Sequence, residues 1–143
     1  MSTEENKDLV RRYWQAVNRD GDEAIDAFLS PDYVDHNPPP GFPPGRDNLH
    51  TAIAALRAAF PDTRHEIEEI IAEGNKVVTR LTAYATHTGE IQGIPPSGKR
   101  VSMPGISIHR VADGKLVEHW AQVDFLGLLQ QVGAIPAPAA AAG

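Results

Sequence analysis

The sequence has 143 residues, enough for one domain with a proper hydrophobic core. Its formal net charge of −6 comes from 13 basic and 19 acidic residues scattered along the chain. Because no basic stripe is present, nucleic acid is an unexpected partner. The lack of cysteine excludes disulfides and thiolate catalysis and fits a cytoplasmic location, and no apolar run approaches the roughly 20 residues of a membrane span.

The first half of the chain predicts helices. Apolar residues from Leu9 to Val17 recur at helical spacing, so an N-terminal helix with one buried face is expected. Asp20-Gly21-Asp22 separates it from a shorter helix that ends near Ser30-Pro31. Tyr33 to Asn37, followed by three prolines, predicts a rigid extended segment. The predicted helices cover about residues 3–20, 22–30 and 47–60.

The second half predicts an antiparallel sheet. Adjacent Ile70 and Ile71 interrupt the alternation of one strand and indicate a bulge there. Asp113-Gly114 predicts a hairpin turn, because both residue types tolerate positive φ angles. Helices followed by a meandering sheet indicate the α+β class, with the helices on one concave face. The predicted strands cover about residues 65–73, 76–88, 100–111 and 116–124, with a short helix over residues 125–132.

The last hairpin can be read in register. If Val111 pairs with Leu116, side chains that alternate with a period of two divide into an apolar face and a mixed face. The mixed face is either solvated or lines a pocket, and its Trp and Met favour a pocket. The mixed face carries Met103, Gly105, Ser107, His109, Glu118, Trp120, Gln122 and Asp124. The apolar face carries Ile106, Ile108, Val117, Ala121 and Val123, with His119 interrupting it.

Asp124 has two interpretations. It precedes the final helix, where Asp commonly serves as an N-cap, and sequence physics favours that function. Alternatively it is a pocket carboxylate that exchanges protons with a substrate. Histidine spacings do not match metal sites, and nucleotide-binding and nucleophile-elbow motifs are missing, so we predict no metal or cofactor. Acid/base chemistry or simple ligand binding remains.

Several segments together resemble the SnoaL-like polyketide cyclase family. Their order and spacing cover about residues 5–135, nearly the whole chain. The segments are Tyr33 to Pro38, Thr86 to Glu90, Gly93 to Lys99, Asp113 to Trp120, Asp124, and Leu126 to Gly133.

The resemblance implies a cone-shaped α+β barrel of the NTF2-like type, in which N-terminal helices wrap a curved antiparallel sheet. Residues 1–135 would form this single domain, and residues 136–143 a flexible Pro/Ala-rich tail. The resemblance also implies a homodimer or homotetramer packed through the outer face of the sheet. The predicted apolar face of the hairpin gives an independent reason to expect that contact.

The resemblance further implies cofactor-free aldol closure of a polyketide ester, with Asp124 as general acid/base. Residue type and position make His109 a further catalytic candidate, which would hold a carbonyl or enolate oxygen. A small hydrophobic cyclic or polyketide ligand is the expected partner. Alternatives on this scaffold are a non-catalytic binding protein, an isomerase, or an epoxide hydrolase in which Arg80 and Asp35 join Asp124. The expected ligand-contacting residues are Tyr13, Trp14, His36, Asn37, Met103, Ser107, Trp120 and Gln122.

Overall fold

The computed structural model describes residues 1–136 and residue 138. Four helices and five strands follow one another along this part of the chain, in the α+β arrangement that the sequence predicts. The predicted tail from residue 136 falls largely outside the described residues. The helices are α1 (Thr3–Asp20), α2 (Ile25–Phe28), α3 (Arg46–Ala59) and α4 (Phe125–Gln131), and the strands are β1 (Leu29–Asp35), β2 (Arg64–Glu73), β3 (Lys76–Thr86), β4 (Arg100–Ala112) and β5 (Lys115–Val123).

Helix α1 begins at a capping box. The Ser2 hydroxyl accepts a hydrogen bond from the Glu5 N–H, and the Glu5 carboxylate accepts one from the Ser2 N–H. These contacts satisfy two of the free N–H groups at the helix start. The predicted apolar stripe is confirmed, since residues from Leu9 to Val17 pack against the sheet. The helix runs over the residues that the sequence predicts, with Ser2 as its cap.

The five strands form one sheet in the order β1-β5-β4-β3-β2. The segment expected to be merely extended belongs to β1, which pairs with β5 in parallel. Ser30 and Pro31, expected to end a helix, therefore lie in a strand. Proline is tolerated there because β1 is an edge strand and Pro31 has no N–H to offer a neighbour. This pairing sets Asp35 directly beside His119.

Two strand irregularities differ from the predictions. In β2 the register shifts between Ile67 and Glu69, not at Ile70 and Ile71. In the last hairpin the predicted Val111–Leu116 pair is confirmed, but Glu118 pairs with Arg110. Val117 is therefore an extra residue, a bulge that shifts every later pair in β5 by one position.

The hydrophobic core has two parts. The larger cluster joins α1 and α2 to β1, β3 and the closed end of the β4–β5 hairpin, with Val10, Ile25 and Leu116 fully buried. The smaller cluster joins the end of α3 to α4, around Phe60 and Leu128. Both clusters contribute side chains to one cavity. No helix in the described part of the chain is long and apolar enough to cross a membrane.

Candidate active site

A cavity of about 420 Å³ lies between the helices and the concave face of the sheet, here called the inner face. Its wall includes side chains of α1, α3, β4 and β5, and most of that wall is apolar. Two loops border it. The Gln92 side-chain amide donates a hydrogen bond of 3.0 Å to the Pro40 carbonyl oxygen, so this bond joins the loops. Such a cavity is typical of a site for a small apolar ligand.

The bulge at Val117 decides which β5 side chains face the cavity. His119, Ala121 and Val123 line it, together with Ser107 and His109 of β4. The prediction that His109 lies opposite Glu118 is therefore wrong, and His109 pairs with His119. One extra residue reverses the facing of each later side chain in the strand, because strand side chains alternate.

A line of polar side chains crosses the inner face from Asp35 through His119 to Ser107. Asp35 Oδ1 lies 3.2 Å from His119 Nδ1, and His119 Nε2 lies 3.2 Å from the Ser107 hydroxyl oxygen. His119 Nδ1 makes no well-formed hydrogen bond with any described group, so its attraction to Asp35 is chiefly electrostatic. The carboxylate only accepts, which favours the tautomer with the proton on Nδ1 and leaves Nε2 as the basic nitrogen.

Asp35 is buried, with 4% of its surface exposed. Its Oδ1 also accepts a hydrogen bond of 2.9 Å from the Asn37 N–H. The Asn37 side-chain oxygen in turn accepts one from the Ala121 N–H at 3.0 Å. These bonds hold the end of β1 against β5 and fix the carboxylate beside the imidazole.

His109 stacks on His119, with ring centroids 4.5 Å apart. Burial lowers the pKa of His109 well below its usual value, and the neighbouring His119 lowers it further. His109 is therefore neutral near pH 7, and a second positive charge beside an imidazolium of His119 is avoided. Its Nδ1 is buried and bonds no other group in the described chain.

Tyrosine hydroxyls complete the polar end of the cavity. Tyr13 and Tyr33 line the cavity and are almost fully buried. Burial raises the pKa of both phenols, and the nearby Asp35 carboxylate raises them further. Both hydroxyls therefore stay protonated and can donate to a ligand oxygen.

The Trp14 and His65 rings contact each other at a tilt of 40°, with centroids 4.7 Å apart, and both residues line the cavity. Asn18 holds His65 by accepting a 2.8 Å hydrogen bond from its backbone N–H. Burial lowers the pKa of His65 to about 4, with a smaller contribution from Arg57. The indole Nε1–H of Trp14 is buried without an acceptor among the residues described. The Trp14 and His65 rings are therefore both uncharged near pH 7, and the indole is a donor without a partner among the described residues.

The structure brings six of the predicted site residues together and separates the other four. His36 stacks on Trp120 at 4.7 Å on the opposite face of the sheet, the outer face. Gln122 pairs with Ile106 on that face. The predicted pocket positions of His36, Trp120 and Gln122 are corrected accordingly, because of the Val117 bulge and the Glu118 contact that draws His36 outward. The six in the cavity wall are Tyr13, Trp14, Asn37, Met103, Ser107 and His109.

Asp124 caps α4, as sequence physics favours. Its carboxylate accepts a hydrogen bond of 2.9 Å from the Gly127 N–H, and the residue is exposed. Its neighbours Val123 and Phe125 line the cavity. The epoxide hydrolase cluster does not form, because Arg80 pairs with Glu68 and Glu69 in an exposed position.

Sequence reasoning missed Asp35 and His119 as a pair. His119 was noted only as an interruption of an apolar face, and Asp35 only within the hydrolase alternative. A polar residue in an otherwise apolar row was the available signal, since a buried histidine needs a partner. The partner comes from β1, about 80 positions earlier in the chain, and parallel pairing over that separation leaves no local pattern.

The chain is similar to known cyclases along most of its length. The family model for SnoaL-like polyketide cyclase matches residues 7–132. Aklanonic acid methyl ester cyclase DnrD of Streptomyces peucetius is 34% identical over 133 residues, which are 88% of this chain and 89% of that protein. Nogalonic acid methyl ester cyclase of Streptomyces nogalater is 31% identical over 122 residues, 82% of this chain and 90% of that one.

Solved structures agree with this relationship. TsrD from Streptomyces laurentii superposes with a TM-score of 0.83 at 30% identity, covering 94% of this chain and 99% of its own. AclR from Streptomyces galilaeus, a proposed hydroxylase, gives a TM-score of 0.85 at 33% identity, covering 96% and 87%. The matched residues include every element of the cavity wall described above. The chain belongs to the SnoaL-like polyketide cyclase family.

Proposed function

We propose that this protein closes a ring in an uncharged polyketide ester by intramolecular aldol addition, with the Asp35–His119 pair as its acid/base group. The observation that carries the proposal is the approach of a buried carboxylate to an imidazole in the wall of an apolar cavity, at 3.2 Å. Membership of a cyclase family and similarity to two methyl ester cyclases support the reaction class.

The chemistry needs one base that later acts as an acid. His119 Nε2 removes the proton from the carbon between two carbonyl groups, and Asp35 stabilises the imidazolium that results. The enolate carbon then attacks a second carbonyl carbon of the same molecule, which forms the carbon–carbon bond. The imidazolium returns its proton to the new alkoxide, so atoms and charge balance. The contact of 3.2 Å with the Ser107 hydroxyl is long for a hydroxyl bond, so a substrate can replace it.

The enolate oxygen needs donors that stay protonated. The Tyr13 and Tyr33 hydroxyls meet this need, because burial and Asp35 raise their pKa values. Neutral His109 adds a hydrogen-bonding nitrogen without adding charge. Met103 and Trp14 form apolar wall against which a flat substrate can stack. The site therefore combines a base, oxygen donors and an apolar wall in one cavity.

Asp124 is the alternative candidate for the base, and the family resemblance supports it. Its exposed carboxylate caps α4 through the Gly127 N–H and is not among the cavity-wall residues, although its neighbours Val123 and Phe125 are. Asp35 and His119 both line the cavity. His119→Gln and Asp124→Asn therefore discriminate the two assignments, and His50→Gln is a matched control, since His50 pairs with Asp26 at the surface.

The test measures deuterium uptake by mass spectrometry and ring closure by chromatographic separation of the isomeric product, in D₂O with a panel of polycyclic β-keto methyl esters. We expect wild type and His50→Gln to exchange and close the ring, and His119→Gln to be at least about 100-fold slower. Closure alone leaves the mass of the substrate unchanged, whereas hydroxylation would add one oxygen atom. Loss in Asp124→Asn with full activity in His119→Gln would overturn the assignment. Ligand binding by every variant with no turnover by wild type would favour a binding protein.

We further propose that two or more copies associate through the outer face of the sheet. Ile106 is about half exposed there, and Ile108 accompanies it on that face. Sedimentation of wild type and Ile106→Glu tests this, since a charge in an apolar interface should leave a monomer. The cytoplasmic location expected from the lack of cysteine stays a prediction.

A further inference from the structure

We propose that Ser107 is a nucleophile toward uncharged carboxylic esters, so that the protein also hydrolyses esters through an acyl-serine intermediate. The proposal shares the Asp35–His119 pair with the ring closure above but does not depend on that reaction. It rests on the order of three side chains, a carboxylate, an imidazole and a hydroxyl, with successive distances of 3.2 Å and 3.2 Å. Groups in that order activate a serine hydroxyl on several unrelated folds.

The serine is both confined and accessible to a ligand. Ser107 is 3% exposed, yet it belongs to the cavity wall, so the space beside its hydroxyl is the cavity and not bulk water. The backbone around it is rigid, because Ser107 pairs with Thr79 on β3 and with Ala121 on β5. A nucleophile on a central strand is held more precisely than one on a loop.

The negative oxygen of a tetrahedral intermediate would need a hydrogen-bond donor. The backbone N–H groups around Ser107 are committed to the sheet, so the donor must be a side chain. The Trp14 indole N–H is the candidate, since it bonds no acceptor within the described residues and its ring lies 6.2 Å from His109, which stacks on His119. An indole is a donor only, so a negatively charged oxygen suits it.

The steps balance with water as the second reactant. Ser107 Oγ attacks the ester carbonyl carbon while its proton passes to His119 Nε2. The carbon–oxygen bond to the alcohol then breaks, and the imidazolium gives that proton to the departing alkoxide. Water, deprotonated by His119, attacks the acyl-serine; the bond to Ser107 Oγ breaks, the imidazolium returns the proton to that oxygen, and the acid is released. The buried Asp35 disfavours a carboxylate in the cavity, so the substrate class is the neutral ester and the acid product leaves.

The experiment exploits the chain's lack of cysteine. Wild type, Ser107→Ala, Ser107→Cys and His119→Gln are incubated with a fluorophosphonate probe and separately with p-nitrophenyl butyrate. We expect one probe molecule on wild type, mapped to Ser107, and none on Ser107→Ala. Hydrolysis of the ester should fall at least about 100-fold in Ser107→Ala and in His119→Gln. Melting curves establish that each variant is folded.

Ser107→Cys gives an independent readout. Its single thiol should react with iodoacetamide at least about 10-fold faster than the thiol of Ser107→Cys/His119→Gln, because His119 accepts its proton. Wild type that takes no probe at Ser107, or Ser107→Ala that hydrolyses the ester as fast as wild type, would overturn the proposal. Ring closure measured on the same preparations separates the two ideas. Closure without ester hydrolysis in wild type contradicts only the acyl-serine, and hydrolysis without closure contradicts only the cyclase.

Discussion

The two faces of β5 carry similar side chains in opposite surroundings. On the inner face, His119 stacks on His109 at 4.5 Å, and Asp35 lies beside it. On the outer face, Trp120 stacks on His36 at 4.7 Å, and Glu118 accepts a hydrogen bond of 2.8 Å from that histidine. Each face thus holds a stacked aromatic pair and a carboxylate. Residue type alone does not tell which pair does chemistry.

Burial makes the difference. The inner carboxylate is almost fully buried, whereas Glu118 shares solvent with Arg110 and His36. Charge pairs in water are screened and contribute little, while the same pair in an apolar cavity acts strongly on its neighbours. Hydrogen bonds from His36 and Arg110 lower the pKa of Glu118, so this exposed acid stays ionised. The inner face holds the pair to which we assign proton exchange with a ligand, and the outer face holds a surface network.

Removal of the Asp35 charge on the inner face should have the largest effect on ring closure. Asp35→Asn keeps an oxygen for the Asn37 N–H but no longer stabilises an imidazolium on His119. We expect ring closure to fall about 100-fold, chiefly in kcat, with KM nearly unchanged. Steady-state kinetics measures both. Equal activity in Asp35→Asn and wild type would show that the inner and outer carboxylates do not differ in function.

The second prediction concerns stability and pH. Burial lowers the pKa of His109 and sets that of His65 at about 4, so the folded chain binds fewer protons than the unfolded chain below about pH 6.5. Stability is therefore full above that pH and falls as pH is lowered toward 4. In the pH range where a histidine is protonated only in the unfolded chain, it lowers the free energy of unfolding by about 1.4 kcal/mol for each unit that the pH falls.

Urea unfolding between pH 7 and pH 4.5 measures that slope. His109→Gln should reduce the slope of unfolding free energy against pH by about 1.4 kcal/mol per pH unit, whatever its effect on stability at pH 7. Leu126→Gln, an exposed change without a titrating group, should leave the slope as in wild type. An unchanged slope in His109→Gln would contradict the burial argument for the inner face.

Loss of the ring stack between Trp120 and His36 on the outer face should have a smaller effect. Trp120→Leu removes the contact with His36 and the approach of Lys76 Nζ, which lies 5.6 Å from the ring centre. The loss should be about 1 kcal/mol of unfolding free energy. Ring closure per folded molecule should stay within about twofold of wild type, because a change of this size on the far face moves no cavity side chain. A loss as large as that of Asp35→Asn would place Trp120 in the active site after all.

The smallest effect is expected for Glu118→Gln. Its partners Arg110 and His36 remain solvated, so the melting temperature should match that of wild type by calorimetry. A clear shift would show that the outer network is more shielded than its exposure suggests, for instance by a second copy of the chain. Calorimetry at several protein concentrations tests whether a second copy is the cause, because the melting temperature of an associating protein depends on its concentration.

Much of the fold follows from local pattern. Helical spacing predicted α1 and α3, and the Asp113-Gly114 turn, with φ angles of 51° and 72°, was predicted because those residues tolerate such values. The site was only partly predictable. Ser107 and His109 were placed on the cavity side because β4 is regular up to Arg110, but Val117 carries no sign that it forms a bulge. A β-branched residue fits a regular strand equally well, and tertiary contacts decide.

The bulge at Val117 also bears on how such a chain can evolve. A one-residue deletion is ordinarily tolerated in a loop. Deletion of Val117 would instead restore regular alternation and turn Trp120 inward while His119 turned outward. Relatives that gained or lost one residue at this position would present a different set of side chains to the cavity from the same amino acids. Substrate diversification on this scaffold can therefore proceed through single insertions and deletions in β5, without replacement of any side chain that performs catalysis.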